Sequence, residues 1–342
     1  MCKHISHILI FLFLNTLTAF AQSPVSKKHF FEDDKLVTLD LSTDLKGLVS
    51  DKKKETWQLA NVSFHFPDST VISEEIKLTA RGEFRRKECF IPSIKFDFRN
   101  PGSPRLAKLG KLKLVVGCGM RSADEKLILR EFLVYKIYNL FTPMSFRVRL
   151  LRINYNDTRG KIKRYTQYGF LIEDVDDVAK RNNCREVEKQ VFRTETTDRQ
   201  QTTLVAIFQY MIGNTDWAVP NYHNVKLMRP VTDTISFPYT VPYDFDFCGM
   251  VDAPYAIPIE ELNIKSVRER LYRGYSRTLP EIETTLTLFR EKSEAVKKLV
   301  LSFELLPERD RKEILDYLDG FYKTIESKSL VQKVFIDDAR TN

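Results

Sequence analysis

The chain has 342 residues, of which 43% are hydrophobic and 29% are charged, and its formal net charge is +8. This composition is typical of a globular protein and excludes a disordered, collagen-like or multi-span membrane chain. With five histidines and twelve glycines, the chain is poor in the residues that build multi-histidine metal sites and glycine-rich phosphate loops. No block of Arg and Lys with interleaved aromatics stands out, so nucleic acid is not an expected partner.

Residues 1–21 are predicted to be a secretory signal peptide. Lys3 lies near the start, an apolar run follows at 8–14, and Ala19-Phe20-Ala21 forms an A-x-A exit. We therefore expect cleavage before Gln22 and a secreted or periplasmic mature protein. The apolar run is too short for a bilayer core of ~30 Å, so no integral membrane segment is expected after cleavage.

Four cysteines remain after the predicted cleavage: Cys89, Cys118, Cys184 and Cys248. An oxidising compartment permits one or two disulfides, although the spacing matches no disulfide-rich scaffold. Four buried free thiols are the alternative. The sequence leaves both open.

After a flexible segment at 22–34, residues 35–175 are predicted to form a β-rich region with one helix. Apolar residues alternate with period two in short runs bounded by Pro, Asp and Gly, a pattern typical of an antiparallel sheet. These runs lie at 62–66, 76–80, 94–98 and 112–116.

The helix of this region is predicted to begin at a capping box from Ser122 to Glu125 and to end before Pro143. Two further strands are predicted at 147–155 and 165–175, with a polar turn between them. They are expected to form a hairpin.

Residues 176–259 are predicted to be the catalytic core, and residues 260–342 a helical region. A polar loop at 176–200 precedes a helix at 202–212, which Gly213 is expected to cap in the left-handed conformation. Strands are predicted at 225–228 and 239–247. Helices follow at 281–303 and 307–325, the second with Pro307 in its first turn.

The densest group of polar residues lies in the core region. Asp216 follows the helix cap, and Asn221 and Asn224 lie farther along the same loop. Asp244 and Asp246 are two apart in a predicted strand, so their carboxylates are expected to point to one face. Carboxylate and amide oxygens suit Mg²⁺ or Mn²⁺. Alternatively, the aspartates cap turns, and Asp246 pairs with a surface arginine.

These motifs resemble the CotH kinase family, which is named for a spore-coat protein and includes many secreted bacterial proteins. The resemblance covers about residues 75–255, and its downstream box is the more specific part. The matching elements are Asn214-Thr-Asp216, Asn224 before a strand, Pro242-Tyr-Asp244-Phe-Asp246, Arg81-Gly82 followed by Lys95, and Tyr168 to Glu173.

The resemblance implies an α+β, atypical protein-kinase-like fold with an antiparallel-sheet N-lobe and a mainly helical C-lobe. It implies Mg²⁺- or Mn²⁺-dependent transfer of the ATP γ-phosphate to Ser or Thr of secreted or surface proteins. Carried onto this chain, the catalytic residue is Asp216. The metal ligands are Asn224, with Asn221 as rival at the ordinary kinase spacing, Asp244 and Asp246, and the nucleotide contacts are Lys95, Arg81 and Glu173.

Three residues near these motifs have two interpretations each. Glu131 either pairs with Lys95 or is a surface charge. His223 either orients the loop or contacts a phosphate, or else it bonds backbone. Trp217 either stacks on a base or substrate or packs beneath the loop.

Two further function classes remain open. Gly82 is the only glycine of the segment expected to cover the phosphates. This favours a catalytically weak pseudokinase that acts as an envelope or surface binding module. A metal-dependent phosphoesterase would use the same carboxylates, but such enzymes usually add histidine ligands that this chain lacks.

Overall fold

The computed structural model describes residues 25–51, 55–99, 102, 105–187, 192–233 and 235–341. The predicted signal peptide lies outside these residues. The predicted flexible segment 22–34 contains helix α1 (Lys27–Glu32), and its Phe30 and Phe31 are buried. These two aromatic rings add to the barrel core described next.

Seven strands form a closed barrel in the order β1-β2-β3-β4-β5-β7-β6. Neighbours are antiparallel except β1 and β6, which run parallel and close the barrel. The strands are β1 (Val37–Thr43), β2 (Gln58–His65), β3 (Val71–Arg81), β4 (Ser93–Asp97), β5 (Lys111–Val116), β6 (Val148–Asp157) and β7 (Tyr165–Ile172).

The expected α+β, atypical protein-kinase-like fold is therefore wrong. A closed mixed barrel together with about 38% helix does not fit an antiparallel-sheet N-lobe and a mainly helical C-lobe. The local prediction of strands is nevertheless confirmed, because the four alternating runs form β2 to β5 and the hairpin forms β6 and β7. Period-two alternation decides which side chains face the core, but it does not show whether the two sheet edges meet.

The remaining helices lie between the barrel strands and after them in the chain. They are α2 (Leu45–Ser50), α3 (Glu83–Glu88), α4 (Ser122–Asn139), α5 (Val175–Arg181), α6 (Arg199–Ile212), α7 (Leu279–Leu301), α8 (Glu308–Glu326), α9 (Lys328–Val331) and a π-helix (Gln332–Asp337), with 3₁₀ turns at Ala107–Leu109, Thr194–Thr196 and Glu260–Leu262. A small antiparallel sheet of β8 (Cys184–Glu186), β9 (Val225–Pro230) and β10 (Tyr239–Pro242) has the order β10-β9-β8. No helix among the described ranges is long and apolar enough to cross a membrane.

The N-cap of helix α4 lies one residue earlier than predicted. Arg121 is the N-cap, and its backbone N–H donates to the Asp124 carboxylate at 3.1 Å. Glu125 instead accepts a hydrogen bond from the Tyr168 backbone N–H at 3.2 Å. The prediction was off because two neighbouring acidic residues can each serve a capping box, and only the tertiary contact to β7 decides between them.

The cysteines combine the two alternatives. Cys89 and Cys118 form a disulfide, while Cys184 and Cys248 are buried thiols. The disulfide joins the end of α3 to the segment between β5 and α4.

Two hydrophobic cores share three barrel strands. Leu114, Leu151 and Leu171 face the barrel interior, whereas their neighbours on β5, β6 and β7 face outward. The outward residues Val115, Leu150 and Phe170 belong to the second core, together with residues of α4, α6, α7 and α8. Alternation along a strand permits this double use. The candidate site lies where the outer barrel surface meets the helical part of the chain.

Candidate functional site

A cavity of about 520 Å³ contains most of the predicted site residues. Asp216, Asn224, Asp244, Asp246 and Arg81 all face it. The complete lining is Arg81, Gly82, Glu83, Phe84, Arg85, Lys87, Ser93, Val115, Asp216, His223, Asn224, Asp244, Asp246 and Phe247. The predicted residues Lys95, Glu173 and Asn221 do not belong to this lining.

The end of α6 places Asp216. Gly213 adopts the predicted left-handed conformation, with φ of +68°, and a Cβ at this position would lie 2.0 Å from the Tyr317 hydroxyl oxygen. The Asn214 amide nitrogen donates to Gln209 Oε1 at 3.0 Å, and its Oδ1 accepts from the Asp216 backbone N–H at 2.9 Å. The two hydrogen bonds of Asn214 therefore tie the loop to the end of α6 and fix the position of the Asp216 backbone.

A tight backbone hairpin returns the chain to Asp216. His223 and Ala218 exchange backbone hydrogen bonds of 2.9 and 3.0 Å. This brings His223 Nε2 to 2.6 Å from Asp216 Oδ1. The Asn224 amide nitrogen donates to the Asp216 backbone oxygen at 2.8 Å and to its Oδ2 at 2.9 Å. His223 thus orients the loop carboxylate, and Asn224 keeps its side-chain oxygen available for a ligand.

Asn224 faces the cavity, and its rival does not. The exposed Asn221 lies near the hairpin tip, where its Oδ1 accepts from the His223 backbone N–H at 3.3 Å. Trp217 is 4% exposed and packs in the core below the loop, as the packing interpretation predicted. Of the two asparagines, the structure therefore offers Asn224 as the possible ligand.

Asp244 and Asp246 reach the cavity by a different route from the one predicted. Strand β10 ends at Pro242, where its pairing with β9 ends. Asp244 then adopts a left-handed φ of +63°, so the predicted strand does not reach the two aspartates, although both of them line the same cavity. The Asp244 backbone N–H donates to the Tyr135 hydroxyl at 2.8 Å. Among the described residues, no hydrogen bond or ion pair joins the Asp244 carboxylate to another group.

Asp246 belongs to a buried charged cluster. Its Oδ2 lies 3.1 Å from Arg85 Nη2 and accepts from the Tyr255 hydroxyl at 3.1 Å. Arg85 also donates to the Val116 backbone oxygen at 2.6 Å and lies 3.7 Å from Glu131 Oε2. Asp246 therefore pairs with a buried arginine, not with a surface one.

Glu131 is 1% exposed, so the surface-charge interpretation is wrong, and its partner is Arg85 instead of Lys95. Burial, followed by the negative charge of Asp246, raises the pKa of the Glu131 carboxyl well above its usual value. Burial, followed by the charge of Asp244, also raises the pKa of Asp246, against the opposing effect of Arg85. Burial therefore outweighs the positive charges near these two carboxyl groups.

The basic side of the site lies on the outer barrel surface. Arg81 and Asp244 also line a second cavity of about 70 Å³. Its remaining lining is Lys111, Lys113, Phe146, Ile172, Glu173, Asp174, Val175, Lys226 and Tyr243. Glu173 has structural contacts, because it pairs with Arg181 at 3.1 Å and accepts a hydrogen bond from the Arg147 backbone N–H at 3.0 Å.

Lys113 and Arg85 are the residues that sequence reasoning missed. Lys95 pairs in register with Lys113 on β5, so the two lysines share the outward face, but only Lys113 lines the second cavity. Lys113 Nζ lies 5.2 Å from the Tyr243 ring centre. Outward-facing lysines in β5, and the basic run after Gly82, were the available signals.

The oxygen ligands that line the cavity suit a cation that is also bound by phosphate groups. Asn224, Asp244 and Asp246 supply an amide oxygen and two carboxylates, and Mg²⁺ is commonly held by one or two carboxylates with substrate phosphates and water. Within the part of the chain that the structure describes, no group of three or more His, Cys, Asp or Glu can hold a metal by itself. The residues present therefore suit a shared protein–phosphate site, not an all-protein cage.

No family model matches the chain, and a search of curated proteins found no match. The resemblance to the CotH kinase family stays a prediction that rests on the motifs themselves.

Proposed function

We propose that the protein is a metal-dependent phosphotransferase that transfers the γ-phosphate of ATP to Ser or Thr hydroxyls of secreted or surface proteins. The observation that carries this proposal is the convergence of Asp216, Asn224, Asp244 and Asp246 with Arg81 on one cavity. Phosphoryl transfer needs these groups together, because positioning and charge neutralisation supply most of its catalysis. The motif resemblance to secreted CotH kinases supports the choice of acceptor.

Each wall of the cavity has its own task in this proposal. Asn224, Asp244 and Asp246 would hold Mg²⁺ or Mn²⁺, which neutralises phosphate charge when bound. Arg81 would contact the phosphates from the barrel side, with Lys113 adding positive charge nearby.

Asp216 would orient the acceptor hydroxyl, because His223 and Asn224 fix its carboxylate from two sides. The acceptor oxygen forms a bond to the γ-phosphorus as the bond from that phosphorus to the β,γ-bridging oxygen breaks. ADP leaves, and the hydroxyl proton passes to the Asp216 carboxylate and then to water.

The test is transfer of labelled γ-phosphate to the protein itself or to a casein-type acceptor, with Mg²⁺ and Mn²⁺ in parallel. Asp216→Asn is expected to abolish incorporation. Asn224→Ala is expected to reduce it about 10–100-fold, the usual effect of removing a group that orients or holds a metal site. Asn221→Ala is the matched control and should keep full activity, since Asn221 lies outside the cavity lining. Equal incorporation by wild type and Asp216→Asn would rule out this assignment.

A non-catalytic binding module is the second candidate. The observation in its favour is the Arg85–Asp246 ion pair, which engages one of the proposed metal ligands. This candidate predicts no thermal shift at millimolar ATP with Mg²⁺ or Mn²⁺. A nucleotide- and metal-dependent rise in melting temperature, lost in Asp246→Asn, together with phosphate transfer that requires Asp216, would exclude it in favour of the enzyme.

A further inference from the structure

Arg85 is held at the site by contacts from three directions. Its guanidinium lies 3.1 Å from Asp246 Oδ2 and 3.7 Å from Glu131 Oε2, and it donates to the Val116 backbone oxygen at 2.6 Å. The residue is 8% exposed, although it belongs to a six-residue helix at the cavity rim. Such a charge is retained in the interior only when it is paired and hydrogen-bonded.

The helix that carries Arg85 is itself anchored. Its C-cap is Cys89, whose disulfide to Cys118 ties α3 to the segment after β5. The Phe84 ring packs against Phe247 and Tyr255, with ring centres 5.8 and 5.5 Å apart. These contacts therefore anchor the backbone of Arg85 beside Asp246.

Arg85 is the guanidinium in direct contact with the buried carboxyl groups. The Asp246 and Glu131 carboxyl groups lie beside it, and both Glu131 carboxylate oxygens are buried without a hydrogen-bond partner among the described residues. Among the described residues, no hydrogen bond or ion pair engages the Asp244 carboxylate. It can therefore bind one additional cation on the cavity side. A second metal ion on Asp246 would instead have to share its carboxylate with the guanidinium and would be repelled by it.

We infer that Arg85 is a built-in cation that replaces one of the two metal ions used by protein kinases, so that the site takes a single divalent ion with each nucleotide. The inference rests on the proposed function and names the cation requirement of the same site. Arg85 would thus be a positioning residue that holds Asp246 and limits metal stoichiometry.

The experiment counts metal and nucleotide together. The mature protein is equilibrated by dialysis with excess Mn²⁺ and the non-hydrolysable analogue AMP-PNP, and protein-bound Mn²⁺ and nucleotide are both measured after subtraction of the free complex. We expect one Mn²⁺ per bound nucleotide across the millimolar range. Two Mn²⁺ per nucleotide in a protein that still transfers phosphate would overturn the inference alone. Absence of bound nucleotide would overturn the proposed function and the inference with it.

Two variants sharpen the count. Arg85→Gln keeps hydrogen-bonding capacity but removes the charge, and it should bind a second Mn²⁺ per nucleotide. Arg85→Lys keeps the positive charge but lacks the planar guanidinium group, and this variant should still bind one Mn²⁺ per nucleotide. Circular dichroism and thermal melting show whether each variant folds, and the wild-type count decides the question if Arg85→Gln does not. A folded Arg85→Gln that binds one Mn²⁺ with wild-type affinity would contradict the inference.

Discussion

Lys113 illustrates how a single residue at this site can favour function over stability. Its ammonium group lies beneath the site on β5, where no hydrogen bond or ion pair joins it to another of the described residues. Burial, with the positive charges of Arg81 and Lys226 in addition, lowers its pKa from the usual 10.5 to about 8. A positive charge held at this cost is useful where a polyphosphate binds, because functional sites commonly retain groups that destabilise the fold.

Lys113→Met is therefore expected to stabilise the protein and to weaken nucleotide binding. At pH 7 the gain in unfolding free energy should be on the order of 1–3 kcal/mol, since each unit of pKa displacement corresponds to about 1.4 kcal/mol. Urea unfolding measures the gain, and a thermal shift with AMP-PNP and Mn²⁺ measures the loss. Lys95→Met is the matched control, because Lys95 shares the outward face but lines neither cavity. Equal effects of the two substitutions would contradict the assignment.

The same residue has a pH signature with a defined sign. Because the pKa of Lys113 is lower in the folded protein, the unfolded chain binds more protons between about pH 8 and 10.5. The Lys113 contribution to unfolding free energy should therefore rise with pH across this window and stay flat below it. The difference between wild type and Lys113→Met should shrink from pH 8 to pH 10.

At the level of elements, the short helix α3 depends on a covalent link. Cys89 and Cys118 are 29 residues apart, and closing a loop of this size is expected to stabilise a chain by about 3–4 kcal/mol. The double variant Cys89→Ala/Cys118→Ala should lose about that much unfolding free energy and should release α3 first. Dithiothreitol should lower the melting temperature of the wild type but leave the double variant unchanged. Cys184→Ala, which removes a thiol without a disulfide, is the control.

Elements with a strong local signal were predictable from the sequence. Alternating apolar runs identified β2 to β5, and the apolar face followed by Gly213 identified the end of α6, because each signal acts within a few residues. The Asp216 loop was found in the same way. Where a signal was split between neighbours, as at Asp124 and Glu125, the boundary was off by one residue.

Features set by distant parts of the chain were not predictable. The parallel pairing of β1 with β6 joins residues more than a hundred positions apart, and no local pattern encodes it. Arg85 and Lys113 were not identified from the sequence, because their burial depends on α4, on the loop after β10 and on the barrel wall. Lys95 was chosen from the resemblance, and the structure places it on the same barrel face but outside both cavities.

At the level of the whole molecule, the barrel and the helical part are joined through shared strands. β5, β6 and β7 each give alternate side chains to the two cores, so neither core is complete without the same three strands. The site depends on this arrangement, because Arg81 comes from the barrel and Asp216 from the end of α6. Loss of either core would separate the basic wall from the acidic wall.

Shared strands predict that the two cores unfold together. Leu150 faces the helical core and its neighbour Leu151 faces the barrel interior, and both are nearly fully buried. Leu150→Ala and Leu151→Ala should each cost about 2–5 kcal/mol and should lower the temperature of one common calorimetric transition. Two separate transitions, each sensitive to one substitution, would show that the cores are independent. A single transition would also mean that a ligand bound between the two walls stabilises the entire chain, since it binds only while both cores are intact.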